Sequence, residues 1–215
     1  MTAILSTIQN KPGKRIIFLR HAHAAKKNTL LGSFDADLDK IGKEQARVFF
    51  TTYRKMGFDK IYTSTLKRAY NTVKHFAVEN IPIEVMEGLD EVSWGEIENK
   101  KISGETRQQH LSVINAWKNK NDLACTVGGE NMAEIRSRIS NTINYIISKT
   151  HEKNILIVTH SRILKIILCL ILHIEIGLMD TFKHSNMSMY VINYSEGVFD
   201  MISKIEWGTN ENKNL

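Results

Sequence analysis

The stretch Lys14-Arg15-Ile16-Ile17-Phe18-Leu19-Arg20-His21-Ala22-His23 decides how this chain is read. Two basic residues lead into four apolar ones, two of them β-branched, which predicts a short buried strand. The strand ends on Arg20 and His21. In a parallel α/β sheet the carboxyl ends of the strands deliver side chains into the ligand crevice. A guanidinium forks onto phosphate oxygens, and an imidazole beside it can act as nucleophile or acid/base. An Arg-His pair alone could equally close a strand at the surface, so its meaning depends on the rest of the chain.

Beyond that stretch, His21 to Asp37 is polar and reads as a loop. Apolar residues at helical spacing from Leu38 predict a helix that Asp39 caps, running to about Met56 and stopped by Gly57. Asp59 to Ser64 is strand-like, Thr65 to Val78 helical, and Pro82 to Met86 a third strand. This β-α-β-α order argues for a parallel sheet. The pattern then degrades from Glu87 to Gly129, apart from a helix near Glu105 to Lys118. We read this segment as an insertion over the strand ends. Glu130 to Lys149 is an amphipathic helix with Met132, Ile135, Ile139, Ile143 and Ile146 on one face. Asn154 to Thr159 is a buried parallel strand ending on His160, and Ser161 opens the next helix. Ser188–Asn193 and Phe199–Glu206 flank Ser195-Glu196-Gly197, which predicts a hairpin of antiparallel edge strands. The expected fold is a three-layer α/β/α sandwich with a mostly parallel central sheet. It forms a single domain over residues 1–215, with the insertion at about 87–129 capping the strand ends.

Length and composition narrow the function classes. The 215 residues suit one sizeable α/β domain, and 42% hydrophobic with 24% charged residues is ordinary for a globular protein. A net charge of +6 favours anionic ligands, but Lys is spread along the chain without a dense block, so nucleic acid is not the expected partner. Cys125 and Cys169 lack CxxC spacing and the company of a disulfide framework, which points to a reducing cytoplasm. Met1 to Pro12 does not read as a signal peptide, and the most apolar run, Ile163 to Leu172, is too short to span a bilayer.

Four segments follow predicted strands: Arg20-His21, Ser64 to Thr72, Leu89 to Asn99, and Val158-Thr159-His160-Ser161. Together with the Leu38…Gly42…Gln45-Ala46 helix and Gly129-Glu130-Asn131, this ordered set resembles the histidine phosphatase superfamily, which includes cofactor-dependent phosphoglycerate mutase. The resemblance runs from Ile16 to about Asn193. It implies a phosphomonoesterase of the histidine acid phosphatase type, acting on a small phosphorylated metabolite through a phosphohistidine intermediate. His21 would attack phosphorus, Arg20 and Arg68 would hold the equatorial oxygens, and His160, if protonated, would add a third cationic donor. Glu91 would protonate the leaving alkoxide and then activate water, a role that a raised pKa under the insertion would suit. No metal or other cofactor is expected, since the cationic groups do what a cation does elsewhere.

Departures from the family pattern matter as well. Arg-His-Ala stands where Arg-His-Gly is usual, and His23 where many members carry Glu or Gln. Asn28, the candidate for a phosphate-contacting Asn, sits about one residue late. Ser161-Arg162 follow His160 in place of glycines. The Ser161 NH and hydroxyl can still face a phosphate at a helix N-terminus, and Arg162 either meets a second anionic group or points to solvent. The alternatives carried forward are a phosphoglycerate-type mutase, a protein phosphohistidine phosphatase and a non-catalytic phosphate-binding module. A homodimer is left open, and no membrane partner is expected.

Overall fold

Lys14–Arg20 forms the expected first strand, β1. The computed structural model describes residues 13–25, 35–98, 100–101 and 103–208. The remaining elements, in chain order, are α1 (Lys40–Tyr53), β2 (Lys60–Thr63), α2 (Lys67–Val73), β3 (Ile83–Val85), α3 (Gly104–Lys118), α4 (Met132–Ser148), β4 (Asn154–Thr159), α5 (Ser161–Ile171), β5 (Met189–Ser195) and β6 (Val198–Ile205). Six strands make one sheet in the order β3-β2-β4-β1-β5-β6. The pairs β1–β4, β2–β4 and β2–β3 are parallel, whereas β1–β5 and β5–β6 are antiparallel. The fold is therefore an α/β sandwich whose four parallel strands all end on the same side.

The two-residue period of the strands builds the layers. Ile16 and Phe18 of β1, with Ile155 and Ile157 of β4, join the cluster that holds α3, α4 and α5. Ile17, Leu19, Leu156 and Val158 face α1 and α2 instead. All six residues of β4 are buried, because the strand is covered on both faces and flanked by β1 and β2. Each large side chain so buried contributes about 1.5–3 kcal/mol. Lys14, also buried, donates from Nζ to the carbonyls of Ile146 (2.9 Å) and Lys149 (2.8 Å) at the end of α4. A cation there satisfies orphan carbonyls and the helix dipole together.

Two helix ends differ from expectation. Helix α1 stops at Tyr53, and Arg54–Met56 form a turn that leads into Gly57 with φ of 66°. The helix expected to reach Val78 is α only to Val73 and continues as a 3-10 helix over Lys74–Glu79, closed by left-handed Asn80. The tighter winding aligns residues three apart. It brings Phe76 against Phe49, Phe50 and Phe58, with ring centroids 5.2–5.9 Å apart. Tertiary packing thus outweighs local helix propensity. The hairpin follows the sequence reading: Glu196 (φ 52°) and Gly197 (φ 85°) form a two-residue turn between β5 and β6. The 87–129 segment holds two short 3-10 turns and α3, whose Ser103 and Thr106 form a reciprocal cap. No helix among the described residues is long and apolar enough to cross a membrane.

Candidate active site

The parallel strands bring the singled-out residues to one edge of the sheet. Arg20 ends β1 and His21 follows it; the His21 N–H donates to the Thr159 carbonyl at the end of β4 (3.0 Å). His160 comes next after β4, and Arg68 lies in the first turn of α2, just beyond β2. Thr159 Oγ1 donates to the Leu89 carbonyl (2.7 Å), which ties the segment carrying Glu91 to the same strand end.

His21 is buried and donates from Nδ1 to the Ala22 carbonyl at 2.6 Å. That bond places the proton on Nδ1 and leaves the lone pair on Nε2, the tautomer a nucleophile needs. Burial, then the Arg68 charge, push the His21 pKa down to about 3, so the ring is neutral at neutral pH. Its neighbours are fixed in turn. The Ala22 N–H donates to Thr72 Oγ1 (2.9 Å), and Asn186 Nδ2 donates to the His21 carbonyl (2.8 Å). His23 turns to Asp39, with Nδ1 2.6 Å from Oδ2, while the other oxygen of Asp39 caps α1 through Gly42 N–H (2.9 Å). The His23 carbonyl packs so close to Gly42 that a Cβ there would lie 1.8 Å from its oxygen. His23 thus joins the end of β1 to the start of α1.

His160 is fully buried, with its ring centroid 5.1 Å from that of His21. Arg68 Nε donates to His160 Nδ1 (3.2 Å), so the ring proton sits on Nε2 and goes to Ser64 Oγ (2.6 Å). The sequence makes His160 a cationic donor only if it is protonated. Burial first, then the Arg68 charge, hold its pKa well below the usual histidine value. Positive charge at the site comes from Arg20 and Arg68. Desolvation lowers both guanidinium pKa values, and the Glu91 charge opposes that shift in each. Arg20 Nη1 donates to the His184 carbonyl (3.1 Å), whereas its buried Nε has no hydrogen-bond partner. The buried Arg68 and the half-buried Arg20, both just at the ends of parallel strands, suit a phosphoryl group.

Glu91 lies across the N-terminus of α5. Its Oε1 accepts from Ile163 N–H (3.1 Å) and its Oε2 from Arg162 N–H (3.1 Å). The Arg162 and Ile163 amides are thus engaged by this carboxylate. Ser161 Oγ lies 3.2 Å from His184 Nε2. Arg162 pairs with Asp180 (3.1 Å), an acid that also binds Lys118 and Lys165. A cavity of about 290 Å³ adjoins Glu91, lined among others by Glu87, Asp90, Glu98, Glu130 and Arg138. Arg138 holds Glu130 (2.5 Å) and donates to the Gly88 and Asp90 carbonyls, while Asp90 accepts from the Thr65 N–H and hydroxyl. Burial raises the Asp90 pKa. Asn28 lies outside the described residues.

Sequence reasoning did not single out His184 or Asn186, and it gave Ser64 and Thr72 no role. The first two sit in a polar loop before β5 that reaches the site only through the antiparallel pairing of β5 with β1. Nothing in their local pattern signals that approach.

A buried neutral histidine, a buried and a half-buried guanidinium and a carboxylate, all at the ends of the parallel strands, are groups that can accept and release a phosphoryl group. Residues 16–205 match the model of the histidine phosphatase superfamily (branch 1), and the chain belongs to that family. A Hydrogenobacter thermophilus protein provisionally named phosphoserine phosphatase 2 is 31% identical over 161 residues, covering 74% of this chain and 78% of its own. Phosphoserine phosphatase 1 of the same organism is 23% identical over 185 residues, 85% of this chain and 87% of its own. Among solved structures, the α-ribazole phosphatase of Shigella flexneri superposes with a TM-score of 0.74 at 22% identity, covering 87% of this chain and 94% of that one, which establishes likeness of fold.

Proposed function

We propose that the protein is a phosphomonoesterase that hydrolyses a small phosphorylated metabolite in two steps through a phosphohistidine on His21. The observation that carries this reading is the His21 tautomer: Nδ1 is committed to the Ala22 carbonyl, and the lone pair is on Nε2 beside Arg20 and Arg68. In the first step Nε2 attacks phosphorus in line with the leaving oxygen, and the P–O bond to the alcohol breaks. Arg20 and Arg68 stabilise charge on the equatorial oxygens, and a protonated Glu91 gives its proton to the alkoxide. In the second, Glu91 takes a proton from water, whose oxygen attacks the phosphohistidine. Inorganic phosphate leaves, and both side chains return to their starting forms. His160 acts by holding Arg68 at Nε.

The cavity beside Glu91 favours a substrate with a single phosphate. Glu87, Asp90, Glu91, Glu98 and Glu130 outnumber Arg138 along its wall, and like charge would repel a second phosphate. The names of the relatives, phosphoserine and α-ribazole phosphatases, support hydrolysis of a small phosphate ester, and we take the enzyme to be of the histidine acid phosphatase type. The same reading takes the cytoplasm as the setting and the small substrate, rather than nucleic acid or a membrane, as the partner; a homodimer is compatible with it.

The test is a panel of phosphomonoesters, phosphoserine included, with detection of free phosphate. Stoichiometric phosphate and alcohol from at least one small monoester are expected. Interconversion of phosphoglycerates without phosphate release would instead make the protein a mutase, and action on phosphohistidine proteins alone would make it a protein phosphatase.

A further inference from the structure

We infer that His184 is a positioning residue that turns the Ser161 hydroxyl toward the phosphoryl group held by Arg20 and Arg68; the inference rests on the phosphatase reading above. His184 lies in the loop between a 3-10 turn at Ile176–Thr181 and β5. Its main-chain carbonyl accepts from Arg20 Nη1 (3.1 Å), which places the residue directly against a phosphate-binding side chain. Its Nε2 is 3.2 Å from Ser161 Oγ, at the first residue of α5. The ring stands edge-on to Tyr190, with centroids 6.0 Å apart at 83°, and Tyr190 Oη donates to the Lys183 carbonyl (3.0 Å), which pins the loop.

Packing does not explain the polarity of this ring. Nδ1 is buried with no hydrogen-bond partner, a cost that an apolar ring of similar size would not carry. The contact that needs a nitrogen is the one to Ser161. A serine hydroxyl has one proton and can donate once. With the ring proton on Nε2, His184 donates to Ser161 Oγ, and the Ser161 proton is left free to donate to a phosphoryl oxygen. Arg20, Lys165, Lys204 and Glu206 are the charged groups that bear on the ring; burial, then Arg20, keep it neutral with a pKa near 3. His184 therefore supplies direction and no charge. Its carbonyl, which any side chain would leave in place, steadies Arg20.

The experiment compares wild type with His184→Phe, His184→Gln, Ser161→Ala and the double variant His184→Phe/Ser161→Ala. Turnover of a phosphate ester and thermal midpoints are measured for each. His184→Phe should lower kcat about tenfold while keeping or raising the midpoint, because the unpaired nitrogen is gone. His184→Gln, which can still donate to Ser161, should recover most of the lost rate. In the Ser161→Ala background, His184→Phe should change kcat less than about twofold. Unchanged kcat in His184→Phe, or the same loss with and without Ser161, would overturn the inference. Should wild type hydrolyse no ester, the phosphatase reading fails on its own. Inorganic phosphate binding by the same variants then decides the role of His184: weaker binding in His184→Phe, recovered in His184→Gln, supports it, and equal binding overturns it.

Discussion

Replacing His21 with Asn is expected to abolish turnover, by at least about 10⁴-fold, while leaving phosphate binding intact. The His21 imidazole is the proposed nucleophile, because its proton is held on Nδ1 by the Ala22 carbonyl and Nε2 keeps the lone pair. The anion-binding groups do not depend on it. Arg68 is held by His160, and Arg20 by the His184 carbonyl. His21→Asn should therefore bind inorganic phosphate, measured by calorimetry, within a few-fold of wild type, and its thermal midpoint should change little. Removing a neutral ring takes no counter-charge from the site, since burial and Arg68 already hold that ring unprotonated. Residual activity within tenfold of wild type would require another nucleophile.

Glu91→Gln should slow transfer to His21 by about 10²–10⁴-fold for alkyl phosphates and much less for nitrophenyl phosphate. An alkoxide is a strong base and needs a proton as it leaves; a nitrophenolate hardly does. Dephosphorylation should slow for both esters, because the same carboxylate then serves as base for water. Single-turnover kinetics resolve the two steps. Glu91 also accepts the Arg162 and Ile163 N–H groups, so the substitution disturbs the start of α5 as well. That disturbance is common to both esters, and only loss of the proton distinguishes them. An equal first-step loss for the two would remove Glu91 as the acid and direct attention to Asp90, whose pKa burial raises.

Much of the scaffold is legible in the sequence because a parallel sheet writes itself in short apolar runs. Asn154–Thr159 is covered on both faces and reads as a continuous buried strand. Glu196-Gly197 announces the hairpin because two positive φ angles demand such residues. Arg20, His21, Arg68, Glu91 and His160 are legible because each follows a strand that ends at the same edge. Contacts between distant segments are harder to read. The 3-10 continuation after Val73 answers to Phe49, Phe50 and Phe58, which local spacing does not contain. The lowered pKa of His160 comes from burial first and then from Arg68, 92 residues away, which donates to its Nδ1. Arg162 finds Asp180 through a turn with no sequence signature. His184 and Asn186 reach the site only because β5 runs antiparallel to β1.

The central claim is a phosphoryl group carried by His21. The direct measurement is incubation of wild type with a substrate labelled in its phosphoryl group, quenching in alkaline denaturant during turnover, and peptide mapping by mass spectrometry under acid-free conditions. The account predicts an acid-labile, alkali-stable label on the peptide containing His21, at its imidazole Nε2, that disappears as substrate is exhausted. A label on a serine, or turnover with no label on His21 at any time point, would contradict it.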